Sequence, residues 1–186
     1  MLPFFAGRQD PTTPASKRLN TDQNSNILIF MSGHGGEDFM KFQDYDHVSG
    51  ADIASAFQQM REQRRFNEIL FMADTCHAGS LIEGIRTPGV FGMASSRRDE
   101  NSYSRYHDHD LGISVIDEFT SATLKFFQMH ESAKHRSVER GTTPPLPRTL
   151  EDYLKFLQSP QGHMRSTVVH NGNFFTRKPR YATCCC

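Results

Sequence analysis

A charge excess of either sign is missing from this chain: its 186 residues carry 21 Lys and Arg against 21 Asp and Glu. Without a basic surplus there is no electrostatic footprint for nucleic acid or an anionic membrane, and no nucleic-acid partner is expected. Long apolar runs are missing too. No stretch approaches the roughly 18 apolar residues of a membrane helix. The opening Met1-Leu2-Pro3-Phe4-Phe5-Ala6-Gly7 is a short apolar stretch with no basic leader, so it does not read as a secretory signal. No internal repeat is present. With 37% hydrophobic residues, the chain is long enough for one domain with a real core and leaves a sizeable share for loops.

Cysteine is sparse and unevenly placed, with Cys76 alone in the interior and Cys184, Cys185 and Cys186 at the end. Three adjacent thiols at a terminus cannot all reach one internal partner, which excludes a disulfide framework. Residues 179–186 read as a Cys-rich tail, with lipid attachment or a soft metal as the alternatives to a frayed end. Gly33 to Gly36 is no phosphate loop, since no Gly-Lys-Ser/Thr follows. The one stretch of metal-like composition, Arg105 with His107, Asp108, His109 and Asp110, lacks helical i, i+4 spacing or a closed ligand set. No metal and no cofactor are expected.

What is present is a pair of apolar runs, each ending in a reactive residue. Residues 26–31 lead into Ser32-Gly33-His34-Gly35-Gly36, and residues 68–73 lead into Asp74-Thr75-Cys76-His77. Apolar runs of five or six residues without alternation fit buried parallel strands with helices on both faces. Between them Ser49 and Asp52 form a capping-box start, and Ile53, Ala54, Phe57 and Met60 recur at helical spacing, which predicts a helix over 50–65. Strand, helix and strand then make a right-handed crossover, putting both strand ends, and with them His34 and Cys76, on one side of the sheet.

Around this unit, residues 1–25, with Pro3, Pro11 and Pro14, read as an extended connector. Phe39 to Phe42 reads as a short extended arm. After Cys76 come a short helix from Ala78 and a third strand over 90–94 ending in Ser95 and Ser96. A polar loop over 97–110 follows, a usual place for a binding wall. The spacing of Ile113, Ile116, Phe119, Thr123 and Phe127 predicts the longest helix over 112–130. Residues 132–147 read as a surface loop, and Thr149 with Asp152 caps a helix ended by Pro160. A hairpin of 166–170 with 174–176 turns at Asn171-Gly172.

The chemistry these residues allow is nucleophilic. A thiol attacks a carbonyl as thiolate, and a free cysteine with pKa near about 8.5 needs an activator, commonly histidine. His34 fits that role, with the N–H groups of Gly35 and Cys76 as candidate oxyanion donors. The alternative is that His34 caps a turn while Cys76 packs as a small hydrophobe. His77, adjacent to Cys76, is read as a loop residue, and Asp74 as an orienting or backbone-bonding carboxylate.

Ser32-Gly33-His34-Gly35-Gly36, Phe39-Met40-Lys41-Phe42-Gln43-Asp44, Arg64-Arg65-Phe66-Asn67-Glu68 and Asp74-Thr75-Cys76 together resemble the catalytic subunits of GPI-anchor transamidases, relatives of legumains and caspases. Pro14 to Leu19, Ala94-Ser95-Ser96, Leu111-Gly112-Ile113 and Phe174-Phe175 continue the match over about residues 12–178. The resemblance implies a caspase-like three-layer α/β fold with a mainly parallel central sheet and flanking helices, its catalytic domain over 26–178. It makes Cys76 the nucleophile and His34 the general acid/base, with Gly35 at the oxyanion and Ser95 contributing to a narrow substrate pocket. It also implies thioester cleavage of a precursor's C-terminal signal and transfer to the amine of a GPI lipid, within a membrane-bound complex on the lumenal side of the endoplasmic reticulum. Two departures stand out. His77 replaces the family's usual glutamine, and the portion that carries the family's first strands before residue 12 is missing, which suggests a truncated product. The alternatives are a legumain-like endopeptidase with water as acceptor and a catalytically silent interaction module.

Overall fold

The computed structural model describes residues 5, 7, 10–42, 45–141 and 149–172. They divide into two compact units, one of residues up to Ser102 with Ser166–Gly172, the other spanning Tyr103–Arg165. The sequence reads these stretches as one continuous domain.

The first unit is built on a four-stranded sheet in the order β1 (Asn26–Ser32), β5 (Glu68–Asp74), β6 (Val90–Ala94), β9 (Val169–Asn171). The first three strands are parallel, while β9 runs antiparallel to β6. This is the mainly parallel α/β sheet expected from the apolar runs. β1 differs in one respect. It lies at the sheet edge and its exposure alternates, with Leu28 and Phe30 on the open face and Ile27, Ile29 and Met31 packed on the core. A strand with one neighbour and one covered face alternates, whereas the central β5 is buried almost throughout.

Helices α1 (Gly50–Glu62) and α2 (Gly79–Glu83) pack on the covered face. Ser49 and Asp52 close a complete capping box at the start of α1. Ile53, Phe57 and Met60 then turn inward, and Phe57 meets Phe71 of β5 edge to face at 5.5 Å. Each such fully buried side chain is worth roughly 1.5–3 kcal/mol of transfer free energy. The helix stops three residues short of its predicted end because Arg64 takes a left-handed conformation (φ 53°) and Arg65 N–H donates back to Met60 O at 2.9 Å, a C-terminal cap without glycine.

The chain before β1 is more than a connector. Phe5 is buried among the core residues, with its ring 6.3 Å from that of Phe57, and Leu19 packs on the same cluster. Between β1 and α1, the strands β2 (Gly35–Gly36), β3 (Phe39–Phe42) and β4 (Asp46–Ser49) form a small antiparallel sheet, which gives the predicted extended arm two partners.

In the second unit two expectations are corrected. The predicted helix over 112–130 begins only at Glu118, because Ile113–Asp117 forms a strand (β8) paired antiparallel with Ser104–Asp108 (β7). Ile113, Val115 and Ile116 are β-branched, and Gly112 (φ 68°) closes the turn between the strands. Helix α3 (Glu118–Glu139) then runs on through 132–139, a segment read as loop that contains no breaker before Gly141. Helix α4 (Leu150–Gln158) starts at the expected Thr149 and Asp152 capping box. Phe126 of α3 packs against Tyr153 and Phe156 of α4, and the Thr123 and Tyr153 hydroxyls share a 2.5 Å hydrogen bond.

Of the hairpin expected across Asn171-Gly172, the first side contributes β9, which pairs with β6. Its second side, Phe174 and Phe175, the loop over 142–147 and the tail over 179–186 lie outside the described residues.

Candidate active site

The parallel pairing of β1 with β5 sets the site. The register places Ser32 opposite Asp74, and the ladder continues one residue further, where Gly33 N–H donates to Asp74 O at 3.2 Å. His34 and Cys76 each stand two residues beyond that last matched pair, at the same carboxyl end of the sheet. From His34 the chain turns into β2, and the carbonyl of His34 accepts from Lys41 N–H at 2.9 Å. The imidazole is exposed and the thiol half-buried.

Gly35 presses directly on the cysteine turn. A Cβ built on it would lie 2.5 Å from Thr75 Oγ1, 2.9 Å from Phe39 O and 3.3 Å from Cys76 O. Only a residue without a side chain allows the histidine hairpin to approach the Thr75-Cys76 backbone this closely. Among the described residues no hydrogen bond joins His34 to Cys76. The thiol instead donates to the carbonyl of Ser102 at 3.7 Å.

The cysteine turn is held from beneath by buried hydroxyls. Thr75 N–H donates to Ser95 Oγ at 3.2 Å, and the Ser96 hydroxyl donates to Thr75 O at 3.0 Å while accepting from Ala78 N–H at 3.1 Å. Ser95 Oγ also lies 3.2 Å from Ser102 Oγ, which donates to Asp74 Oδ1 at 3.2 Å. Asp74 is buried, and its carboxylate ties the Ser102 loop to the end of β5. Ser95, expected at the substrate pocket, is fully buried, and its hydroxyl is committed to Thr75 and Ser102. Its contacts with the cysteine turn run through the Thr75 backbone and the Ser102 hydroxyl.

His77 adopts a left-handed backbone (φ 56°), a conformation that histidine tolerates better than most residues. Its Nδ1 lies 2.6 Å from the Arg98 carbonyl. A carbonyl only accepts, so this nitrogen carries the proton and the ring is fixed on the loop, in line with its sequence reading. The Arg98 guanidinium in turn meets Glu37, Asp38 and Glu83. These carboxylates, Glu83 first and then Glu37, hold it above the ordinary arginine range. Arg98 and Ser102 carry no motif, and the sequence marks them only as members of a polar loop at a strand end.

Among the described residues no group of three or more His, Cys, Asp or Glu side chains is placed to hold a metal ion, and no helix is long and apolar enough to cross a membrane. The arrangement offers a thiol, an imidazole and unhindered backbone at the end of a rigid sheet, the parts of covalent acyl chemistry.

Comparison with known proteins agrees with that chemistry. Residues 3–142 match the model of the peptidase C13 family. A GPI-anchor transamidase of Saccharomyces cerevisiae is 51% identical over 115 residues, 62% of this chain and 28% of that protein. A putative GPI-anchor transamidase of Caenorhabditis elegans is 45% identical over 133 residues, 72% of this chain and 42% of that protein. The GPI-anchor transamidase of Homo sapiens is 36% identical over 179 residues, 96% of this chain and again 42% of that protein. The chain thus spans less than half the length of these curated relatives.

Proposed function

The chain belongs to the peptidase C13 family, and from that premise we propose that it acts as a cysteine transamidase in GPI-anchor attachment. Cys76 attacks the carbonyl carbon of a small residue near a precursor's carboxyl end. His34 delivers a proton to the departing amine as the peptide bond breaks, and the precursor is left as a thioester on Cys76. The amine of a GPI lipid then attacks the thioester carbon, the Cys76 sulfur leaves, and His34 takes up the proton lost by the amine. Donors for the developing oxyanion are the N–H groups of Gly35 and Cys76. The work takes place in a membrane-bound complex with further subunits, on the lumenal side of the endoplasmic reticulum.

The observation that supports this reading is the register of Ser32 with Asp74, since it fixes the two reactive positions at one sheet end with Gly35 against the Cys76 carbonyl. The names of the relatives, GPI-anchor transamidases or a putative one, support an amine over water as the acceptor. The test is product analysis with a peptide carrying a C-terminal signal of small residues, polar spacer and apolar tail, with hydrazine as surrogate amine. Formation of the hydrazide, lost in Cys76→Ala, is the expected result. A free carboxylate as sole product at every hydrazine concentration would assign hydrolysis instead.

A further inference from the structure

The residue after the nucleophile and the hairpin that bears His34 are joined by a closed circuit of polar contacts. His77 Nδ1–H donates to Arg98 O at 2.6 Å, and Arg98 Nη2 donates to Asp38 Oδ2 at 2.5 Å. Asp38 N–H donates to Ser80 Oγ at 2.9 Å, and the Ser80 hydroxyl donates back to His77 O at 2.7 Å. Asp38 lies four residues beyond His34 and His77 one beyond Cys76, so both reactive loops belong to the same ring. The guanidinium fork adds Glu37 of the same hairpin turn (3.1 Å) and Glu83 at the end of α2 (2.7 Å).

From this geometry we infer that Arg98 is a positioning residue, which sets the approach of the His34 hairpin to the Cys76 turn by holding Glu37 and Asp38 with its side chain and His77 with its carbonyl. The inference rests on the proposed pairing of His34 with Cys76. The hairpin needs such a hold. Its β2 strand is two residues long, Asp38 occupies the left-handed region (φ 63°), and the His34 ring is exposed. Individually exposed ion pairs contribute little to stability, so the function of this one lies in geometry. A planar fork that engages three carboxylates on two elements fixes directions as well as distances. A displacement of about 1 Å between reacting groups is enough to reduce rates by about a hundredfold.

The readout is the rate at which chloroacetamide alkylates Cys76, followed on the Cys76 peptide by mass spectrometry from pH 5.5 to 9, in the full chain and in Arg98→Ala, Arg98→Lys, His34→Ala and Arg98→Ala/His34→Ala. The part of the rate that depends on His34 should fall about tenfold or more in Arg98→Ala, recover in part in Arg98→Lys, and fall in the wild type at 1 M salt, where the Debye length is about 3 Å. The double variant should alkylate no more slowly than His34→Ala alone, since a positioning residue has nothing left to position. A folded Arg98→Ala chain that keeps the wild-type, His34-dependent profile overturns the inference. Equal rates in the wild type and His34→Ala would remove the pair itself, a distinct outcome that takes Arg98's role with it. Should Arg98→Ala melt below the assay temperature, Glu37→Gln/Asp38→Asn keeps Arg98 and the side-chain shapes while removing the two hairpin charges that it holds, and carries the same two outcomes.

Discussion

Gly35 and Thr75 are in such close contact that a methyl group on the glycine would stand 2.5 Å from the threonine hydroxyl oxygen. The contact couples the histidine hairpin to the cysteine turn by steric fit, with no ion pair or hydrogen bond involved. Two of the three atoms crowding the position, Phe39 O and Cys76 O, are backbone and cannot rotate away. Gly35→Ala should therefore destabilise the chain by about 1–3 kcal/mol, the usual cost of overpacking. It should also slow Cys76 alkylation more than an equally destabilising core change such as Val90→Ala does. Equal alkylation in the two variants would mean that the hairpin tolerates displacement.

Ser96 serves the cysteine turn from the far side. Its hydroxyl donates to Thr75 O and accepts from Ala78 N–H, both in buried residues; Ser96→Ala leaves the Ala78 N–H without its acceptor, while Thr75 O keeps the Ser95 hydroxyl. The expected loss is about 1–3 kcal/mol in urea unfolding, accompanied by faster hydrogen exchange at Ala78. Unchanged exchange at that amide would assign the turn's order to its packing alone.

Glu118 anchors the second unit. Its buried carboxylate accepts from Arg165 Nε at 2.7 Å and from the Arg165 backbone N–H at 2.9 Å, with Arg105 at 3.5 Å. Removing one partner of a buried pair costs roughly 3–5 kcal/mol. The Arg165 side chain is 59% exposed and recovers hydration when released, so Glu118→Gln is expected to cost about 2 kcal/mol on the same scale. Hydrogen exchange of the α3 amides reads this directly, and protection unchanged from wild type would contradict it.

Asp22 opens the turn ahead of β1, its carbonyl accepting from Ser25 N–H at 3.1 Å. Its carboxylate accepts from Asn24 N–H and the Ser25 hydroxyl, both at 2.9 Å, and these bonds hold it below the ordinary aspartate range. A carboxyl whose folded pKa is depressed stabilises the fold above its unfolded pKa, and the contribution is lost as pH falls through the folded value. The Asp22 side-chain resonance should accordingly titrate below that of an aspartate in an unstructured peptide, and the turn should loosen only in acid. A midpoint at or above that value would show that the turn does not select the charged form.

The sequence made the strands legible wherever hydrophobicity alone decides them. Residues 26–31, 68–73 and 90–94 are strands in the structure because uninterrupted apolar runs have nowhere to go but a sheet. The capping boxes at Ser49 and Thr149 located two helix starts to the residue. At 112–117 two periods competed: the three-residue spacing of Ile113, Ile116 and Phe119 imitates a helix, and β-branching together with Gly112 prevailed. The attachment of β9 to β6 was not legible, because it joins residues about 77 positions apart with no local turn to announce it. At the site, His34, Gly35 and Cys76 were marked by residue type and by their place at strand ends. The residues that hold them were not marked. Arg98, Ser96 and Ser102 act through backbone groups and hydroxyls whose partners only the folded loops define.

The alternation along β1 bears on how the molecule must be handled in every experiment above. From Asn26 to Ser32 the strand carries neither charge nor proline, and Leu28 and Phe30 face outward beside a row of backbone groups at the sheet's edge. Such an edge is a template onto which a second molecule can add its own strand. Heating a concentrated sample is expected to end in aggregation, so that an apparent melting temperature reports a rate and shifts with scan speed. Dilute urea titrations avoid that, and a single Lys at position 28 should protect the solution without touching either reactive loop.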